Sequence, residues 1–247
     1  MPSPAVAPSR RRTIVRDGVT IGLVTGAYGV SFGAVAVAAG LSVLQACALS
    51  LLMFTGGSQF AMVGTIAGGG QPLAGAATAV LLGVRNAFYG LQLSPRLGLR
   101  GARRLVGAQL VIDESAAMGS TPEDDAEGRL GFWVTGASVF VLWNLATLAG
   151  ALGAAALEDP GVLGLDVAGP AAFVALLSPR LRGRRPWAVA LAAAAVAVSI
   201  APVVPAGVPV LVAAGVAVAA GLPRAGAPGV AEEAVGAAVD RAGEGRG

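Results

Sequence analysis

The chain has 247 residues, 55% of them hydrophobic and only 13% charged, with a mean hydropathy of +0.74. A soluble domain carries about 25% charged residues, so this composition excludes an ordinary soluble fold and points to a bilayer. All 17 basic residues are arginines, histidine is absent, and Cys47 is the single cysteine, which excludes an internal disulfide, a multi-cysteine metal site and imidazole chemistry.

Apolar segments occupy 18–40, 43–69, 72–93, 104–120, 130–156, 162–178, 187–201 and 205–222. They do not alternate apolar with polar residues as barrel strands would, and helices satisfy their own backbone in lipid. The expected fold is therefore all-α: a polytopic transmembrane helical bundle of about 7–8 apolar segments, with broken or re-entrant helices. Residues 1–17 form a basic N-terminus, expected to be cytoplasmic. The first apolar run, Val19 to Leu41, exceeds the roughly 7–15 residues of a signal-peptide core and reads as an uncleaved span. Residues 18–222 make the transmembrane domain, and the Gly-, Ala- and charge-rich 223–247 reads as a disordered tail.

Arginine placement sets the topology. Clusters lie at Arg10, Arg11, Arg12 and Arg16, at Arg96, Arg100, Arg103 and Arg104, and at Arg180, Arg182, Arg184 and Arg185. All are expected on the cytoplasmic side. Three full crossings between the first two clusters would put them on opposite sides, so one segment must turn back. The segment interrupted by "FTGGSQF" (54–60) is the natural one. The same conflict recurs before the third cluster, and there 104–120, with its "DES", is the odd segment. A plain alternating bundle with one basic loop outside is the alternative. The two breaks fall at comparable places in successive parts of the chain, as in an inverted repeat, although no strict sequence repeat accompanies them.

Polar residues inside such segments are costly and point to function. Gly56 and Gly57 break a helix, freeing backbone donors whose positive end suits a carboxylate; Ser58 and Gln59 add side-chain donors and acceptors. The alternative is a tight helix crossing with two interhelical hydrogen bonds. Arg85, Tyr89 and Gln92 share one helix face, with Asn86 adjacent; the alternative for Arg85 is snorkelling to the interface. Gln109 stands one helical turn before Asp113, beside which is Glu114. Either carboxylate could carry a proton or hold an ammonium group, with Arg85 as candidate partner, or the two could simply end a helix in water. Asp166 reads either as a further acid of the pathway or as a helix cap. In "WNLATLAG", Asn144, between Trp143 and Thr147, is a candidate interhelical bridge. Small residues at Gly22–Gly26 and Gly29–Gly33 permit close helix packing.

In order, "GVSFGAVAVAAGLS", "FTGGSQFAMVGTIAGGGQPL", "RNAFYGLQLSPRL", "DESAA", "WNLATLAGALG" and "GLDVAGPAAF" resemble the AzlC family, over about residues 18–222. The resemblance implies the large subunit of a two-component exporter of branched-chain or other hydrophobic amino acids. It also implies a small AzlD-type membrane subunit and residence in the bacterial cytoplasmic membrane. Positions matching the family motifs are Gly57, Ser58, Gln59, Arg85, Asn86, Asp113, Glu114 and Asp166. The substrate site is thus expected at Gly56, Gly57, Ser58, Gln59, Arg85, Asn86 and Tyr89, and proton coupling at Asp113, Glu114 and Asp166. No cofactor, metal or enzymatic step is expected. An intramembrane protease using Asp113 and Asp166 does not fit, because "GLGLD" lacks that class's Gly-Asp motif. The competing class is a channel or a structural membrane subunit.

Overall fold

A computed structural model describes residues 6–120, 124–157, 174, 177–178, 181–204 and 208–221. Every regular element among them is helical: α1 (Pro8–Ala38), α2 (Val43–Leu52), α3 (Gly57–Ala67), α4 (Pro72–Leu97), α5 (Ala102–Gln109), α6 (Asp113–Ser120), α7 (Asp125–Ala155), α8 (Arg184–Ile200) and α9 (Val208–Gly221). Of the apolar segments expected, 162–178 lies almost wholly outside the described residues. Among the described residues, α1 and α7 are long and apolar enough to cross a membrane by length and composition. Helix α4 has 26 residues but carries Arg85 and Asn86 halfway along.

Helix α1 starts at Pro8, so Arg10, Arg11, Arg12 and Arg16 lie in the same helix as the first apolar segment. Its glycines at 18, 22, 26, 29 and 33 all face α7. A Cβ at Gly22 would stand 2.6 Å from the Cβ of Ser138, one at Gly26 would stand 2.7 Å from that of Leu142, and one at Gly33 would fall on the Thr147 carbonyl oxygen. Backbones this close exchange dispersion contacts that larger side chains would prevent, which is how helices associate in lipid. The facing residue numbers rise together, so the two helices run parallel. Ser50 of α2 donates to Thr147 of α7 across this seam, Oγ to Oγ1 3.3 Å.

The basic ends gather at one end of the bundle. Arg10 pairs with Glu127 at 2.9 Å, joining the starts of α1 and α7. Arg96, near the end of α4, pairs with Asp125 at 3.0 Å and donates to the Gly119 and Ser120 carbonyls that finish α6. The Arg96 and Arg10 clusters therefore share an end, as the positive-inside rule requires.

They share it because the first interrupted segment turns back, and the second does likewise before α7. From the opposite end, α2 descends to the level of Phe140, where Phe54 meets that ring edge-on at 5.0 Å. Helix α3 then climbs away beside α4: Ser58 lies against Gly83, and Met62 against Gly75. From the arginine end, α5 rises to place Gln109 Nε2 2.7 Å from the Leu51 carbonyl oxygen. Helix α6 returns along α7, with Ser115 against Gly136 and Met118 against Gly131. The half-helices have 8 to 11 residues, or about 12–16 Å at 1.5 Å per residue, half of a bilayer core. A long helix followed by a broken hairpin (α1 to α3) is thus repeated upside down (α4 to α6).

Each break has its own stitching. Ser42 and Gln45 form a reciprocal capping box that starts α2. At the first break Gly56 has φ +62°, a conformation that glycine adopts without strain. Gln59, fully buried, accepts from the Gly56 N–H at 3.0 Å and the Thr55 N–H at 3.5 Å, and donates to the Leu49 carbonyl oxygen at 3.5 Å. At the second break Ser115 Oγ accepts from the Ile112 N–H at 3.0 Å and donates to the Leu110 carbonyl oxygen at 2.6 Å. Gln109 and Asp113 consequently lie on separate helices, not one turn apart on the same helix. We expect Gln59→Leu to lower stability by about 1–3 kcal/mol, because it strands the Gly56 donor in the interior. Thermal unfolding of the detergent-solubilised protein measures this; an unchanged midpoint would contradict the role.

Candidate functional site

The tips of the two broken hairpins meet at the middle of the bundle and enclose a cavity of about 250 Å³. Gly56, Gly57, Thr55 and Phe54 line it from the first hairpin, and Ile112, Asp113 and Glu114 from the second. Thr25 and Tyr28 of α1, Leu82 and Arg85 of α4, and Val139 and Trp143 of α7 complete most of the wall. Because α3 and α6 run in opposite directions, both present their N-termini here. Each start carries partial positive charge. The start of α6 is covered by its own acids, Asp113 and Glu114, whereas the first turn of α3 has none.

Arg85 and Asp113 form an ion pair, Nε to Oδ1 3.0 Å, with both side chains about three-quarters buried. Glu114 stands beside them within hydrogen-bonding reach of Thr25. One cation and two carboxylates leave the ionisable wall with one negative charge when both acids are deprotonated. Trp143 is 3% exposed, stacks on Phe32 and meets Phe60 edge-on, yet its Nε1–H has no partner among the described residues. The rest of the lining is largely apolar.

The residues read from the sequence do not all converge. Gly56, Gly57, Arg85, Asp113 and Glu114 share the cavity wall. Ser58, 1% exposed, is turned towards α4 at Gly83, and its Oγ has no partner among the described residues. Gln59 is spent on the break itself. Asn86 is half-buried, its Oδ1 has no partner among the described residues, and it is not in this wall. Tyr89 lies farther towards the arginine end, in a second cavity with Gln92. Asp166 lies outside the described residues. Among the described residues Asn144 bridges no helices; it donates Nδ2 to the Phe140 carbonyl oxygen of its own helix at 2.8 Å. Thr147 makes the bridge instead.

Thr25, Tyr28, Ile112 and Ser115 were not singled out by the sequence reading. Thr25 and Tyr28, one helical turn apart in an otherwise apolar run, were the legible signal for the first two. Ser115 carried no signal, because its role depends on a break within "LVI" that no glycine or proline marks. Among the described residues, no group of acids and cysteine could hold a metal ion.

The family model for the AzlC protein matches residues 20–157, which contain both hairpins and the described cavity wall except Leu177. The chain belongs to the AzlC family. That family is associated with branched-chain amino acid transport, and so with small-molecule substrates and a membrane setting. The match is narrower than the motif order suggests, since "GLDVAGPAAF" falls beyond it. Comparison with curated proteins and with solved structures gave no match. Membership also accounts for the bare surface: Leu44, Leu52 and Leu73 are each about 80% exposed in the isolated chain and suit lipid or another membrane subunit.

Proposed function

We propose that this AzlC-family chain exports branched-chain or other hydrophobic amino acids across the bacterial cytoplasmic membrane, driven by protons. It works with a small AzlD-type subunit, and its arginine end is cytoplasmic. The carrying observation is the cavity where two oppositely directed half-helices begin, with Arg85, Asp113 and Glu114 in an otherwise apolar wall. Such half-helix ends near mid-membrane are a recurrent way to hold ionic substrate groups.

The parts divide by chemistry. Gly57 and the open start of α3 suit a substrate carboxylate, and the unpartnered Trp143 N–H adds a donor on the same wall. Glu114, which is not in the Arg85–Asp113 pair, suits the ammonium group or a proton. Val139, Leu82, Phe54 and Ile112 receive the aliphatic side chain. An engineered cavity of about 150 Å³ holds benzene, so about 250 Å³ accommodates a branched-chain amino acid. Such a wall separates one methylene from none only weakly, by about 1–3 kcal/mol, so several hydrophobic amino acids should compete. Neutralisation of Glu114 by a proton and by an ammonium group are alternatives, and this links substrate movement to proton movement.

Inverted vesicles containing the chain and its small subunit should accumulate labelled valine when a proton gradient is imposed. Leucine and isoleucine should compete, and Glu114→Gln should abolish the gradient's effect. Saturable uptake that ignores the gradient would remove the coupling. Flux that neither saturates nor responds to the gradient would favour a channel instead.

A further inference from the structure

On the arginine side of the Arg85–Asp113 pair lies a second, more open cavity of about 350 Å³. Tyr89 and Gln92 of α4 line it with Asp113, Ala116, Ala117 and Ser120 of α6. Asp113 lines both cavities. The two differ in depth along the same helices: Arg85 marks the first cavity on α4, and Tyr89 and Gln92 lie one and two turns closer to Arg96. Ser120, at the rim of the second, offers its carbonyl oxygen to Arg96 at 3.1 Å.

We propose that this second cavity is a separate binding station for the same class of substrate, a hydrophobic amino acid, and that Asp113 serves both stations. The inference rests on the transport reading above. The second station has the groups for a zwitterion's ammonium end: the Asp113 carboxylate, the Gln92 amide carbonyl and the Tyr89 hydroxyl. Ala116 and Ala117 give a small apolar floor. Among the described residues its wall has no arginine and no helix start except that of α6, which Asp113 itself occupies. It therefore holds the substrate by its ammonium end. The Arg85–Asp113 pair separates the stations. When a substrate carboxylate in the first cavity draws on Arg85, an ammonium group on either side takes that cation's place at Asp113. The ammonium group thus passes between cavities on one carboxylate and keeps its counter-charge throughout.

The test uses the full chain with Cys47→Ala in proteoliposomes, and L-valine as the probe. One variant carries Leu82→Cys in the first cavity, another Ala117→Cys in the second, and each thiol is titrated with a maleimide. Valine should slow labelling at both positions. Adding Gly57→Leu, which fills the first cavity, should remove protection at Leu82→Cys and leave it at Ala117→Cys; Thr55→Leu serves the same end if that variant does not fold. Asp113→Asn should raise the valine concentration needed to protect Ala117→Cys by about tenfold or more, the loss of one charge-assisted contact, while Asp113→Glu should largely restore it. Protection at Leu82→Cys alone overturns the second station and leaves the first cavity's reading intact. Loss of protection at Ala117→Cys when the first cavity is filled overturns it also, by showing a relayed effect. Protection at neither position overturns both readings.

Discussion

Gly57→Leu is expected to abolish amino-acid transport, by about 100-fold or more, while leaving the protein folded. The backbone at Gly57 is ordinary, and among the described residues a Cβ there would meet only the Arg85 Nη2 atom, at 3.9 Å. The substitution thus disturbs no helix contact. The rest of a leucine side chain extends into the cavity, beside Arg85 and over the open start of α3. Transport of labelled valine should fall to background, whereas the size-exclusion profile and melting temperature in detergent should match those of the parent. Gly57→Ala, which adds only the Cβ, should retain most of the activity. A Gly57→Leu protein that transports normally would mean that the substrate does not pass this wall.

Gly33→Val is the opposite case. Here the new side chain would meet backbone: the Thr147 carbonyl oxygen, the Ala151 nitrogen at 2.7 Å and the Thr147 carbonyl carbon at 2.9 Å. None of these can rotate away, so α1 and α7 must separate. Overpacking of this kind costs on the order of 3 kcal/mol. Parting the helices also pulls Thr147 from Ser50 and loosens α2 against α7. The protein should express poorly or melt many degrees lower, with transport lost as a consequence. Gly90→Val is the matched control, because a Cβ at Gly90 meets nothing within 4 Å among the described residues. Equal melting temperatures for the two variants would refute the close-contact explanation.

The pair shows why spacing alone could not sort the glycines. Gly29 and Gly33 were legible as a packing face from their four-residue interval, and the interval is what lets two backbones approach. Gly56 and Gly57 looked equally able to serve a helix crossing or a substrate path. The choice depended on what stands opposite, and opposite Gly57 there is space and an arginine.

Composition by itself determined that this chain is helical and belongs in a membrane, because too few charges and no alternating pattern leave no other way to satisfy the backbone. The arginine clusters and the two polar interruptions also made turned-back segments legible, since charge placement restricts crossings without reference to packing. Partnerships were decided only by the tertiary structure. It paired Arg85 with Asp113, assigned Gln59 and Ser115 to stitching the breaks, brought Thr25, Tyr28 and Trp143 into the wall, and moved Tyr89 to a second cavity. These outcomes depend on the depth at which each hairpin tip stops, a distance set by the contacts of α3 with α4 and of α6 with α7. No local pattern encodes that depth.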